Sequence, residues 1–368
     1  MPPAKENDLS FPSPLAPPSS ACPPTLKPLS SMYRLPLSIV PSNYNIQVSF
    51  NIPDRSYQGR VITNLSILSP SQHVCLNSIN LELSNIVIVS EDTAASVKGF
   101  VADSNKSIGV IRIDFGHILQ TGNYRLQMNF KGKIRVGLQG VYLNKFVDAG
   151  GVEQDGVATM FAATDARSFF PCWDQPDMKC SFELTVLVDK SRNYTVLSNM
   201  NQTDSDEVMD DDVIASDAGV EWSVHKFSRS PSMSTYLLCF VIGQYSAVSQ
   251  QVGQTRVSVY APVNRSEEAT FSLDTGVKCL QIFNDFFGVD YCLPKLDLIA
   301  LACLSVGAME NWGLVTFREN SLLVERTTSS NAQFQAVATI VAHEISHQWF
   351  GKFTFSNSES ISDCLLCR

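Results

Sequence analysis

Residues 331–350 read NAQFQAVATIVAHEISHQWF, and their apolar spacing predicts one long helix. Ser330 or Asn331 is available as its N-cap, and Gly351 stands just past its end. Within this stretch, His343-Glu344-Ile345-Ser346-His347 places two histidines at i and i+4. That spacing puts both imidazoles on one helical face, within reach of a single Zn²⁺. Glu344 then projects beside the metal, where a carboxylate takes the proton of a metal-bound water. Neutral nitrogen ligands, a metal that acidifies water and a carboxylate base form a working set. Taken alone, the string also fits a surface helix with two unrelated histidines.

Upstream of this helix the periods are mixed. Ser266 to Phe287 has apolar residues at helical spacing, acids Glu267 and Glu268 in the first turn, and Gly288 as a stop. Leu296 to Leu304 and Leu314 to Phe317 read as strands. Between them lies Gly307-Ala308-Met309-Glu310-Asn311, with Glu310 standing 33 positions before His343. Glycine permits close backbone approach, and a carboxylate at Glu310 suits a ligand's ammonium group. A turn with an exposed glutamate reads equally well if the motif is taken by itself. Residues 262–351 therefore form a mixed α/β unit.

Before residue 262 the texture is different. Tyr44 to Phe50, Val61 to Leu68, Ile108 to Phe115, Arg125 to Phe130, Phe182 to Val188 and Arg256 to Tyr260 alternate polar and apolar residues. No helical period of useful length interrupts them, so residues 33–261 are expected to form an all-β domain, a sandwich or a saddle-shaped assembly of sheets. Residues 1–32 carry nine of the chain's 18 prolines and read as a disordered lead-in. Asp204 to Asp212 places six acids in nine residues, a pattern of a solvated loop.

The bulk numbers narrow the functional classes. A net charge of −9 argues against a nucleic-acid partner. The longest apolar stretch, Leu298 to Met309, is too short to span a bilayer. Ten cysteines without a repeating spacing read as reduced, mostly buried thiols. Five Asn-x-Ser/Thr sites occur, at Asn64, Asn105, Asn193, Asn201 and Asn264, but no apolar leader precedes them. The expectation is a cytoplasmic protein with no membrane segment; the sequence leaves its oligomeric state open.

Taken together, the motifs make the chain resemble the zinc aminopeptidases of the GAMEN type. The resemblance runs from about Tyr33 to Gly351. It includes Tyr33-Arg34-Leu35-Pro36, Thr164-Asp165-Ala166-Arg167, Phe170-Pro171-Cys172-Trp173-Asp174, Leu197-Ser198-Asn199-Met200-Asn201 and Met233-Ser234-Thr235-Tyr236. GAMENWGL from Gly307 and HEISHQWFG from His343 complete it. The resemblance implies a saddle-like β domain followed by the first part of a thermolysin-like α/β catalytic domain. It implies that Gly307, Ala308, Met309 and Asn311 belong to the substrate-binding strand and that Glu310 holds the free amino terminus of a peptide. His343 and His347 become zinc ligands and Glu344 the general base, one zinc per chain. Ala308 favours a peptidase over the related epoxide hydrolases, which typically carry glycine there.

Two departures qualify these implications. The family's third zinc ligand is a glutamate 18 residues beyond the second histidine, and the corresponding position holds Leu366. The segment 352–368 diverges from the family, so the sequence reads as C-terminally truncated, with impaired metal binding and activity expected. The alternative it raises is a catalytically inactive form acting as a binding or regulatory module. Cys364 and Cys367 would close a structural rather than a catalytic site, and Glu359 and Asp363 are further substitutes. Upstream, Met160, Phe161 and Ala162 stand where the family carries Gln-Phe-Glu, which implies either the loss of a second amine-binding carboxylate or a locally shifted alignment.

Overall fold

The computed structural model describes residues 28–350 apart from 30, 31, 149 and 204–219. The proline-rich lead-in up to residue 27, the acidic run from Asp204, and Glu359, Asp363, Cys364, Leu366 and Cys367 lie outside the described residues.

The alternating stretches form strands that bury every second residue. The first are β1 (Ile39–Asn51), β2 (Ser56–Ile67), β3 (Ser71–Asn77), β4 (Glu82–Ser90) and β5 (Ser96–Lys98). In β2 the inward positions run from Tyr57 to Ile67 without a break in the alternation. Next come β6 (Phe100–Asn105), β7 (Val110–Leu119), β8 (Gly122–Lys133), β9 (Gly140–Val147) and β10 (Glu153–Met160). β11 (Ser181–Asp189), β12 (Thr195–Ser198), β13 (Gln202–Thr203), β14 (Trp222–Phe227) and β15 (Phe240–Gly243) follow. They build an eight-stranded sheet in the order β13-β14-β11-β1-β2-β8-β4-β5, a four-stranded sheet β12-β15-β10-β9 and a three-stranded sheet β3-β7-β6. This part is β-rich, as expected, and among its described residues the only helical pieces are short 3₁₀ turns.

An aromatic core joins two of these sheets. Phe169 is fully buried, with ring centroids 5.6 Å from Tyr57 and 6.1 Å from Phe130 in the large sheet and 5.1 Å from Phe240 in the four-stranded one. Such pairs add roughly 0.5–1.5 kcal/mol each beyond the area they bury.

The remaining elements are β16 (Tyr245–Val252), β17 (Thr255–Pro262), α1 (Thr270–Phe287), β18 (Lys295–Leu301), β19 (Ala308–Met309), β20 (Leu314–Arg318), α2 (Glu319–Leu322) and α3 (Asn331–Ser346). The five strands form one sheet in the order β16-β17-β18-β20-β19. Here the sheet departs from the sequence reading. The strand at Arg256 to Tyr260 reads with the β stretches before it, yet β17 pairs with β18 in parallel, and β16 pairs with β17. Alternation reveals a strand but not the sheet it joins.

α1 packs on this sheet and against α3. A Cβ built on Gly276 would stand 3.4 Å from Leu298, 3.7 Å from Val257 and 3.6 Å from Ile345, so three elements meet there. Phe271 and Phe334 meet edge to face at 4.8 Å. Both helix ends differ slightly from the spacing. Residues 266–269 form a 3₁₀ turn before α1, and α3 ends at Ser346 with a non-helical turn carrying the chain to Phe350. Helix ends commonly tighten or fray in this way. No helix among the described residues is long and apolar enough to cross a membrane.

Candidate active site

α3 begins at Ser330, whose hydroxyl accepts from the Gln333 N–H at 3.3 Å, a cap that contributes about 1 kcal/mol. Its C-terminal end is held by Trp349. The Trp349 ring stacks on Phe287 at 5.5 Å, and its Nε1 donates to the Val289 carbonyl at 2.9 Å. Between these anchors the helix buries Val337, Val341, Glu344 and Ile345. His343 is exposed and His347 half-buried, and Glu344 lies next to them around the helix, at the border of its buried face. Their Nε2 atoms lie 3.2 Å apart, with the rings nearly perpendicular.

The Gly307–Asn311 segment lies beside this helix. Among the described residues β19 is an edge strand of its sheet and pairs only with β20, Ala308 opposite Phe317 and Met309 opposite Thr316. A Cβ on Gly307 would approach the Ile340 side chain of α3 to 3.2 Å, so a side chain there would press on that methyl and the helix lies close to the segment. The loop leading into Gly307 is pinned from both sides. Arg318 donates to the carbonyls of Leu304 and Ser305, while Tyr142 donates to the Cys303 carbonyl and Asn144 accepts the Cys303 N–H.

Glu310 sits half-buried at the end of β19. Its carboxylate is close enough to Tyr236 to reinforce burial in raising that hydroxyl above the usual tyrosine range. After it the chain turns sharply through Trp312 and Gly313. Gly313 has φ +79°, and a Cβ there would stand 2.2 Å from the Asn199 carbonyl oxygen. Asn199 donates to the carbonyls of Leu237 and Trp312, and Lys295 donates to those of Ser198 and Gly313. Burial pushes the Lys295 ammonium below the ordinary lysine range, against the opposing pull of Asp297 at 2.7 Å. Gln348 completes the arrangement, its Oε1 accepting from the Gly313 N–H and the Tyr291 hydroxyl, each at 3.3 Å.

Sequence reasoning gave no role to Asn199, Lys295 or Gln348. Asn199 and Gln348 lie inside the LSNMN and HEISHQWFG motifs, but nothing in a linear motif says which backbone atom a side chain will meet. The other quoted motifs converge as well. Arg167 pairs with the buried Asp174 at 2.8 Å, and Thr235 donates to the second carboxylate oxygen of Asp174 at 2.6 Å. Met160 ends β10, and Phe161 is buried with its ring stacked on Phe169 at 5.6 Å. Ala162 follows half-buried.

The donor set bears on a metal. Two ligands of a tetrahedral zinc bound at about 2.0–2.1 Å stand about 3.3 Å apart, close to the observed separation of the imidazole nitrogens. Among the described residues, no third His, Cys, Asp or Glu joins the two histidines in a cluster able to hold a metal.

A helix bearing an HExxH string, laid against the edge strand of a mixed sheet and preceded by a β-rich region, defines a class of metallopeptidases. The Peptidase M1 N-terminal domain matches residues 40–237 and the Peptidase family M1 domain matches residues 271–358, past the point where the motifs end. The chain belongs to the M1 peptidase family. It is 33% identical over 319 residues to the puromycin-sensitive aminopeptidase of Caenorhabditis elegans, covering 86% of this chain and 32% of that protein. It is 33% identical to aminopeptidase M1 of Arabidopsis thaliana (86% of this chain, 35% of the relative) and 32% identical to glutamyl aminopeptidase of Sus scrofa (87% and 33%). The chain thus spans about a third of the length of these relatives. Its relatives are named aminopeptidases, a class of hydrolase, and the metallopeptidase family implies a metal.

Proposed function

We propose that the chain carries the amine-binding and metal-binding parts of a zinc aminopeptidase site that removes N-terminal residues from peptides. The observation that supports this most is the pair of Nε2 atoms 3.2 Å apart at the end of α3. In this reading His343 and His347 hold the zinc, which when bound supplies an acidified water and polarises the scissile carbonyl. Glu344, buried on the same helix, accepts the proton of the attacking water and passes it to the leaving amine. Gly307, Ala308 and Met309 offer the free edge of β19 to an extended peptide backbone, with Asn311 closing the turn behind them. Glu310 receives the ammonium group, without the second carboxylate that Ala162 replaces. The proposal divides the chain into a β module from residue 33 and a catalytic unit ending at 351. It also places the protein in the cytoplasm, supported by the seven described cysteines being free thiols.

Leu366, standing where the third ligand is expected, favours a second reading, a non-catalytic binding or regulatory module. Measuring zinc stoichiometry alongside hydrolysis of leucinamide by residues 1–368 separates the two. Bound zinc with chelator-sensitive turnover supports the aminopeptidase; absence of both supports the module.

A further inference from the structure

The Trp312–Gly313 turn is gripped by three side chains from three separate parts of the molecule. Asn199 comes from the loop after β12, Lys295 from the first position of β18, and Gln348 from the residue after His347. Each is almost fully buried, at 3%, 4% and 1% exposure. Together they take the Trp312 carbonyl, the Gly313 carbonyl and the Gly313 N–H. Gln348 also turns its amide back to the Glu344 carbonyl at 3.4 Å. One side chain therefore touches both the helix of His343 and His347 and the turn that begins at Glu310. Burying three polar side chains around one turn is costly unless each is satisfied, and here each is.

We propose that Gln348, Asn199 and Lys295 are positioning residues that fix the spacing between the Glu310 carboxylate and the HExxH helix. This rests on the aminopeptidase reading, in which Glu310 takes the substrate's amine and the helix holds the metal. A peptide anchored by its amine presents its first carbonyl at a set distance, and that distance must match the separation of the two anchors. Backbone shifts near 1 Å at such a site cost on the order of 100-fold. The clamp thereby confers the preference for a free over a blocked amino terminus.

The test compares binding of leucinol and N-acetylleucinol, which the enzyme cannot hydrolyse, to the zinc-loaded chain by calorimetry. Gln348→Met removes the acceptor for the Gly313 N–H, and Asn199→Ser removes the reach to Trp312. The unaltered chain is expected to prefer leucinol, and each variant is expected to lose about tenfold of that preference while keeping its zinc. A purely structural role would weaken both ligands together and lower bound zinc, leaving the ratio unchanged; that result overturns the clamp. Thermal unfolding identifies any variant that does not fold, in which case the other decides. If neither folds, the three residues serve stability alone and the inference falls. If the unaltered chain binds neither zinc nor leucinol, the aminopeptidase reading itself fails and takes the inference with it.

Discussion

Two clusters of motif residues lie in this molecule, and they are built in opposite ways. Around Asp174 every polar atom is turned inward: Arg167 holds one carboxylate oxygen, Thr235 the other, and Asn77 accepts the backbone N–H of Asp174. Around His343 and His347 the imidazoles face outward from a helix whose other side is packed. A motif closed upon itself is scaffold. A motif whose imidazoles stay uncovered by the described residues, beside an edge strand, suits the ligand site proposed above. The difference implies that the two clusters should fail in different ways.

The largest effect is expected at the open cluster. His347→Ala should abolish zinc binding and reduce any turnover at least about 100-fold, while stability changes by only about 0.5 kcal/mol. Metal analysis and denaturant unfolding read the two quantities separately. At the closed cluster, Asp174→Ala removes the buried carboxylate that accepts from Arg167 and Thr235 and should cost about 3 kcal/mol in unfolding. Zinc per folded molecule should stay unchanged. Loss of zinc at constant stability in this variant would erase the distinction.

Smaller effects sharpen the same contrast. Burial raises the Cys180 and Cys239 thiols to about 12 and Cys172 well above its usual value. In native protein at pH 8, iodoacetamide should label the half-buried Cys279, Cys292 and Cys303 before these three, as peptide mass spectrometry would show. The smallest effect concerns His225 on β14, whose ring burial lowers below the ordinary histidine value of 6.5. Between that lowered value and 6.5 the unfolded chain binds more protons than the folded one, so stability rises with pH through the window and falls as the pH drops. His225→Gln should flatten this slope in melts from pH 5 to 7.

Much of this architecture was legible in the sequence. The alternation of Val61 to Leu68 gives β2, and the apolar period from Ser266 gives α1 because Gly288 ends it with φ +63°. The HExxH helix was legible because a 3.6-residue period places i and i+4 together. Sheet membership was not. Whether β17 pairs onward to β18 depends on residues 295–299, far away along the chain. Nor was the clamp on Gly313, since Lys295 looks like any surface lysine until its neighbours are known. Long-range hydrogen bonds to backbone atoms leave no periodic trace in a sequence.

The most direct test of the central claim is Glu344→Gln in the full chain. The substitution keeps the helix and both imidazoles but removes the carboxylate proposed as the proton acceptor. Zinc should bind as in the unaltered protein, with release of leucine from leucinamide reduced at least about 100-fold. Unchanged, chelator-insensitive release in the variant would contradict the claim.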